Sequence, residues 1–479
     1  MSENLDPEDW DAFRRSSHAA LDGMIDFLRT ARERPVWREA PPEARRVFES
    51  PLPRAPRPFD TALAEFEASI KPYAVGNTHP LFMGWVHGAG TPVGMIAEML
   101  AAGLNANCGG RNHIGVVVER QIARWVAELF AFPDEASGVF VTGSSAANFL
   151  GLLVARDAAM GHGVRRDGLV AAGRQLVAYA SDQAHGCVAQ AMELAGAGSA
   201  HLRKIPVDAA GAMRAELLDA AIDADRAAGL APFLIVGTAG TVDTGAIDPL
   251  RELALRARRH GLWYHVDGAL GALAALSPML RPRLAGIESA DSIALDFHKW
   301  AHVPYDAGFL LVRDGAMHRG AFAAPAAYLQ RATRGLAAGG VWPCDLGPDL
   351  SRGFRALKTW FTFQVHGADA IGRAIEKTCA CARHLADCLA RSEAFELRAE
   401  VSLDIVCFAL KAGWPDEANE AVVIDLQERG IAAPSMTRLS GRPVIRAAIV
   451  NHRTTIADID DFVAALHSSA VRLSSAPAR

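Results

Sequence analysis

The chain has 479 residues, half of them hydrophobic and 22% charged, with a formal net charge of -5. That composition excludes a disordered chain, a collagen-like repeat and a small disulfide scaffold, and it allows two or three domains with cores of their own. The acidic balance offers no basic surface to a phosphate backbone, so nucleic acid is not an expected partner.

The opening residues, MSENLDPEDWDAFRRSSHAALDGMIDFLRT, are acidic and amphipathic. They do not read as a signal peptide, which needs a basic start and an apolar core. They predict a helix over 8–32. Pro-rich breaks follow in RPVWREAPPEARRVFESPLPRAPRPFD, so residues 1–82 read as a helical arm that packs on a second subunit. From 138 onward, short apolar runs alternate with helical periods: 138–142, 176–180, 201–206, 232–237, 262–266, 291–295 and 307–312. Apolar runs without alternation, separated by helices, predict strands buried on both faces of a mainly parallel sheet. Residues 83–352 therefore read as a large α/β domain. After Arg352 a long helical stretch leads to strands around 395–410 and 444–450 and a final helix, giving a smaller α+β domain over 353–479. No run approaches the roughly 18 consecutive apolar residues of a membrane span. Seven cysteines, an odd number spread from Cys108 to Cys407, suit a reducing compartment, so the cytoplasm is expected.

Ligands of open α/β sheets bind beyond the carboxyl ends of the strands, and the residues there are unusually polar. Gly143, Ser144 and Ser145 open a helix after the first run, where free N–H groups can cradle a phosphate, although Gly-Ser is also ordinary capping chemistry. The following runs end in Ser181-Asp182-Gln183-Ala184-His185, in Thr238-Ala239-Gly240-Thr241, in Asp267 and in Asp296-Phe297-His298-Lys299-Trp300. Lysine is scarce: there are six, the other 43 of the 49 basic residues being arginine. Lysine, unlike arginine, can lose its proton and act as an amine nucleophile. Lys299 beside Asp267 could be a partly buried ion pair and nothing more. One cofactor accounts for the whole set, pyridoxal 5′-phosphate (PLP): its aldehyde needs a lysine amine, its phosphate a helix start, its ring nitrogen a carboxylate and its face a stacking partner. Lys299, Asp267 and His185 are assigned the first, third and fourth of these, with Ser144, Ser145 and His298 on the phosphate.

Nucleoside triphosphates and dinucleotides lack their Gly-rich anchors here. Cys381, His384 and Cys388 fall on one helix without a fourth ligand, so they read as a packing face, and no metal is expected. His265 reads as a core residue.

The motifs NTHPLFMGWVHG, EMLAAGLNANCGG, SDQAHGCV, GTAGTVDTGAIDPL, WYHVDGALGA, DFHKW and SRGFRALKTW stand in this order in the chain. In these the chain resembles the group II PLP-dependent amino acid decarboxylases, a group that includes aromatic-L-amino-acid decarboxylase. The resemblance implies PLP fold type I (aspartate-aminotransferase-like) and a homodimer with active sites at the subunit interface, the arm wrapping the partner. It carries Lys299 onto the cofactor lysine, Asp267 onto the ring-nitrogen partner and His185 onto the stacking histidine. Ser144, Ser145, His298, Thr241 and Asp296 fall at cofactor-binding positions, and His79, Pro80, Phe82, Trp85, Asn107 and Gly109 on the substrate side. Relatives carry a proton-donating tyrosine in a mobile loop before SRGFRALK. Here the loop 339–348 has none, and Val341, Trp342 and Pro343 fall nearest that position. His185 is then the expected proton source, with Cys344, Tyr328 or a trapped water behind it. The implied activity is decarboxylation of an L-amino acid, aromatic or related, to the amine and CO2. The alternatives are an oxygen-dependent aldehyde synthase and a PLP-binding protein without turnover.

Overall fold

A computed structural model describes residues 4–171, 173–323 and 330–475. Seven strands, β1 (Ser137–Val141), β2 (Leu176–Ser181), β3 (Leu202–Ile205), β4 (Ala231–Thr238), β5 (Trp263–Asp267), β6 (Ser292–Asp296) and β7 (Gly308–Val312), form one sheet in the order β1-β7-β6-β5-β4-β2-β3. Each expected run lands within two residues of a strand. β3, β2, β4, β5 and β6 are parallel, whereas β7 runs antiparallel to both β6 and β1. Strands β2, β6 and β7 are buried at every position, which is why their sequences do not alternate.

The parallel set brings the carboxyl ends of β2, β4, β5 and β6 to one edge. The helix Ser144–Met160 starts at that edge and crosses the sheet. It lies so close that a Cβ on Gly151 would stand 2.9 Å from the His265 ring; only glycine allows that approach.

A second sheet, β8 (Phe395–Leu397), β9 (Ile405–Leu410), β10 (Ser435–Leu439) and β11 (Arg442–Ala448), is antiparallel in the order β10-β11-β9-β8. The long helical stretch is two helices, Arg355–His366 and Ala368–Ala390, broken at Gly367 with φ 75°. The latter packs with Ile456–Ser475 over Phe395, Phe408 and Phe462 in a separate core.

The expected first helix is Trp10–Arg29, capped by the Asp9 carboxylate, and it buries no residue against this chain. The following residues do pack: the Val36 N–H donates to the Gly430 carbonyl at 2.8 Å, and Arg32 pairs with Asp458. Residues 81–83, where the arm was expected to end, thread into the small domain, with Met83 N–H on Ala433 O and Ala433 N–H on Leu81 O, both at 3.0 Å. Leu81 and Met83 belong to that domain's core. Among the described residues no helix is long and apolar enough to cross a membrane.

Candidate active site

β5 ends in Asp267 and β6 in Asp296. Asp267 is buried, and one of its oxygens accepts the Ala269 N–H at 3.2 Å; among the described residues the other takes no hydrogen bond. Burial pushes this carboxyl up, while the Lys299 charge pulls it down. Asp296 is also buried, and it ties the turn that follows it to the helix start: its carboxylate accepts the Ser144 N–H and the Ser144 hydroxyl, each at 2.7 Å. Lys299 Nζ stands 3.0 Å from Asp296 Oδ2, and His298 Nε2 3.7 Å from it. His298 Nδ1 accepts the Ala307 N–H at 3.1 Å, and its ring lies 4.4 Å from that of Tyr305. Burial lowers its pKa, with Asp296 opposing. The turn is pressed against a neighbouring loop, since a Cβ on Gly88 would meet the His298 carbonyl.

His185 caps the helix Gly186–Leu194 by accepting the Cys187 N–H on Nδ1 at 3.2 Å. Its neutral form therefore carries the proton on Nε2. Cys187 closes a buried polar chain that starts at the far edge of the sheet. Burial drives His265 to a pKa of about 3, so it is neutral. Its Nε2–H donates to Asn148 Oδ1 at 2.7 Å, which leaves Nδ1 to accept from the Ser292 hydroxyl at 2.7 Å. The Trp263 indole N–H donates to Ser292 Oγ at 2.8 Å, and the Asn148 amide donates to Cys187 Sγ at 3.3 Å. Burial, largest among its causes, holds the Cys187 thiol up at about 12.

Ser144, Ser145, His185, Asp267, Asp296, His298, Lys299 and Trp85 line a single cleft of about 450 Å³. The other expected residues stand elsewhere. Thr241 is buried in its own turn, its hydroxyl 3.0 Å from that of Thr244 and accepting the Ala246 N–H at 3.0 Å; the threonines that line the cleft are Thr142, just after β1, and Thr238, at the end of β4 itself. His79 Nδ1 accepts the Leu81 N–H, and the Pro80 carbonyl accepts from Thr454, so both serve the small domain. Asn107 Oδ1 accepts the N–H groups of Gly109 and Arg352, away from this chain's cleft. Phe82 is one layer back, stacked at 5.6 Å and 9° on His87, which does line the cleft. Sequence reasoning passed over His87 and Tyr305, although His87 lies inside a quoted motif. It also passed over Arg446, whose guanidinium donates to the carbonyls of Trp85 (2.9 Å) and Val242 (2.8 Å) and so fixes two points of the cleft wall.

The loop 339–348 is not at the cleft. Trp342 is buried with the Arg331 guanidinium 3.2 Å above its ring, its backbone N–H donates to Asp345 at 2.8 Å, and Cys344 N–H donates to Gly109 O at 2.9 Å. Val341, Trp342 and Pro343, nearest the position of the relatives' tyrosine, thus do not line the cleft of their own chain. Tyr328 lies outside the described residues. On the helix Ala368–Ala390, Cys381 turns into the core, while His384, Cys388 and Asp460 approach one another within 4.8 Å at the surface, with Arg391 3.6 Å from the Cys388 sulfur.

Residues 41–411 match the pyridoxal-dependent decarboxylase conserved domain. The chain is 30% identical over 469 residues to the aromatic-L-amino-acid decarboxylase of Bacillus atrophaeus, covering 95% of this chain and 94% of that one. The chain belongs to the pyridoxal-dependent decarboxylase family. Phenylacetaldehyde synthase of Arabidopsis thaliana is 28% identical over 466 residues, covering 93% of each. The crystal structure of Oryza sativa TDC with PLP and tryptamine superposes with a TM-score of 0.90 at 26% identity, over 98% of this chain and all of that one. The fold is therefore PLP fold type I, and this family member is a PLP-dependent amino acid decarboxylase. Its cleft fits the cofactor: a buried carboxylate with one oxygen to spare, an amine at the next strand end, and Ser145 exposed at a helix start. When bound, PLP supplies an aldehyde for an amine and a ring that withdraws electrons from the bond being broken.

Proposed function

We propose that the chain decarboxylates an aromatic L-amino acid to its amine and CO2. The observation that carries the substrate class is the aromatic cluster of Trp85 and His87 on the cleft wall, backed by Phe82. His87 lies 5.6 Å from each of its neighbours, stacked on both, and Trp85 remains 57% exposed, a flat face open to a flat ligand. Charge points the same way: among the described residues Lys299 is the only lysine or arginine lining the cleft, so an acidic side chain has no fixed cation to meet.

In this reading Lys299 carries the cofactor, Asp267 faces the ring nitrogen, His185 lies on the ring face, and Ser144, Ser145, His298 and Asp296 form the phosphate side. Asp296 acts there through Ser144 and Lys299. His185 Nε2–H is the proton held closest to the chemistry, with Tyr328 or a trapped water as the other sources. Burial raises the Tyr305 hydroxyl to about 12, which keeps it protonated on the same wall.

The working form is a cytoplasmic homodimer. Helix Trp10–Arg29 has no fully buried residue in its own chain, and Met99, Leu100, Leu104, Ile114 and Val117 are exposed around the segment that holds Asn107 and Gly109. Pairing would cover that surface and let Asn107 and Gly109 reach the other subunit's cleft. Residues 1–82, 83–352 and 353–479 remain useful divisions as arm, large domain and small domain, with 81–83 shared by packing.

A second reading, oxygen-dependent release of an aldehyde, draws on the likeness to phenylacetaldehyde synthase. Incubation with a panel of L-amino acids, following CO2, amine, aldehyde and peroxide with and without oxygen, separates the two. Amine from aromatic substrates at the full yield of CO2 supports the first reading; aldehyde with stoichiometric peroxide supports the second.

A further inference from the structure

The edge of the main sheet opposite the cleft holds a second cavity of about 440 Å³, in which the chemistry above has no part. Its floor is formed where β2, β4 and β5 begin, with the Trp263 ring and Phe233 among its walls, and Asp291 stands just ahead of β6. No residue is common to the two cavities.

Its charged groups are unevenly committed. Arg226 donates to His260 Nδ1 at 2.9 Å and to the His260 carbonyl at 2.6 Å, and His260 Nε2 meets Asp219 at 2.8 Å, so this guanidinium is already anchored. The Arg174 guanidinium is exposed at the cavity and makes no hydrogen bond or ion pair among the described residues. Asp291 Oδ2 accepts the Tyr264 N–H at 2.7 Å, and Oδ1 accepts no hydrogen bond among the described residues. The helix Ser144–Met160 also ends at this cavity, and its carbonyl end adds negative potential there. The space thus offers a free cation, a half-used carboxylate and an apolar wall of Met160, Phe233 and Trp263.

A simple anion in this space would face Asp291, whose charge Arg313 and Arg258 only partly offset, and a simple cation would face Arg174. One small body carrying both charges meets both groups, and the volume suits a molecule of that size. We propose that this cavity binds a free α-amino acid as its zwitterion, with the carboxylate on Arg174, the ammonium on Asp291 and the side chain against Met160 and Trp263. It is a second amino acid site, separate from the one at which Lys299 works.

Calorimetric titration of the full-length holoenzyme, its cleft first blocked by borohydride reduction, tests this with L-phenylalanine, phenylacetate and phenethylamine as probes. The expected result is one equivalent of L-phenylalanine bound, with phenylacetate and phenethylamine each at least about tenfold weaker. Arg174→Glu and Asp291→Asn should each weaken L-phenylalanine by at least about tenfold. Arg174 makes no hydrogen bond or ion pair among the described residues that its loss would break, and the side-chain amide in Asp291→Asn keeps an oxygen for the Tyr264 N–H, so both variants should fold. Absence of L-phenylalanine binding, unchanged binding in both variants, or phenylacetate binding as tightly as L-phenylalanine overturns the proposal.

Discussion

Lys299 Nζ lies 3.0 Å from Asp296 Oδ2, and that same carboxylate accepts both hydrogens that Ser144 can offer. One buried acid thus joins the last residue of β6, the amine three residues later and the start of the helix Ser144–Met160. Removing it leaves a buried N–H and a largely buried ammonium short of a partner. A double-mutant cycle over Asp296→Ala and Lys299→Met, read by urea unfolding, should give a coupling on the order of 1–3 kcal/mol. Additive effects would mean that the two groups merely lie close together.

The Asp267 side chain makes a single hydrogen bond among the described residues, so its replacement by asparagine should be tolerated by the fold. What is lost is the charge proposed to face the ring nitrogen. Asp267→Asn should retain cofactor by absorbance but lose at least about a hundredfold in turnover. Near-normal turnover would remove Asp267 from the chemistry.

Much of this site could be read in the sequence because the strand ends are local features. A buried run that stops at Asp267 or Asp296 places an acid at the sheet edge whatever the rest of the chain does. What could not be read depends on pairing across long separations. His87 reaches the cleft from a loop some two hundred residues before Lys299, and Arg446 reaches Trp85 from β11. Thr241 was misplaced because the turn after β4 curls its hydroxyl back onto Thr244. Spacing alone cannot show that reversal. His265 reads as core in the sequence, but its partners on β6 and on the helix that crosses the sheet do not.

His265 also sets a pH dependence. Its pKa falls from an ordinary 6.5 to about 3 on burial, so the unfolded chain takes up a proton that the native chain refuses. Its contribution to stability is complete above pH 6.5 and is lost as pH falls towards 3, at up to about 1.4 kcal/mol per unit. Asp248 and Asp404, raised by burial to about 6, act in the opposite sense, losing stability as pH rises from about 4 to 6. The net curve mixes these terms, so the informative quantity is the difference between wild type and His265→Asn. Urea unfolding from pH 4 to 7 should show the variant with the shallower rise. Parallel curves would mean that His265 titrates normally.

Trp342 is packed beneath Arg331 and outside the lining of its own chain's cleft, so a tyrosine there has no route to the reacting atoms of its own subunit. Neither Trp342→Tyr nor Pro343→Tyr should change the ratio of amine to aldehyde in air. Trp342→Ala should instead destabilise the protein by about 3–5 kcal/mol, through the cavity it leaves. A shift towards amine in either tyrosine variant would mean that the loop reaches a cleft during turnover, its own or the other subunit's.

The central claim is that Lys299, of the six lysines in the chain, carries the cofactor in the cleft formed at the ends of β4, β5 and β6. Borohydride reduction of the holoenzyme followed by peptide mapping tests it most directly. One pyridoxyl group per chain is expected, on the peptide containing Asp296 to Trp300, and none on Lys299→Ala. A pyridoxyl group on Lys71, Lys204, Lys358, Lys377 or Lys411 instead, or full labelling of the variant, would contradict the account.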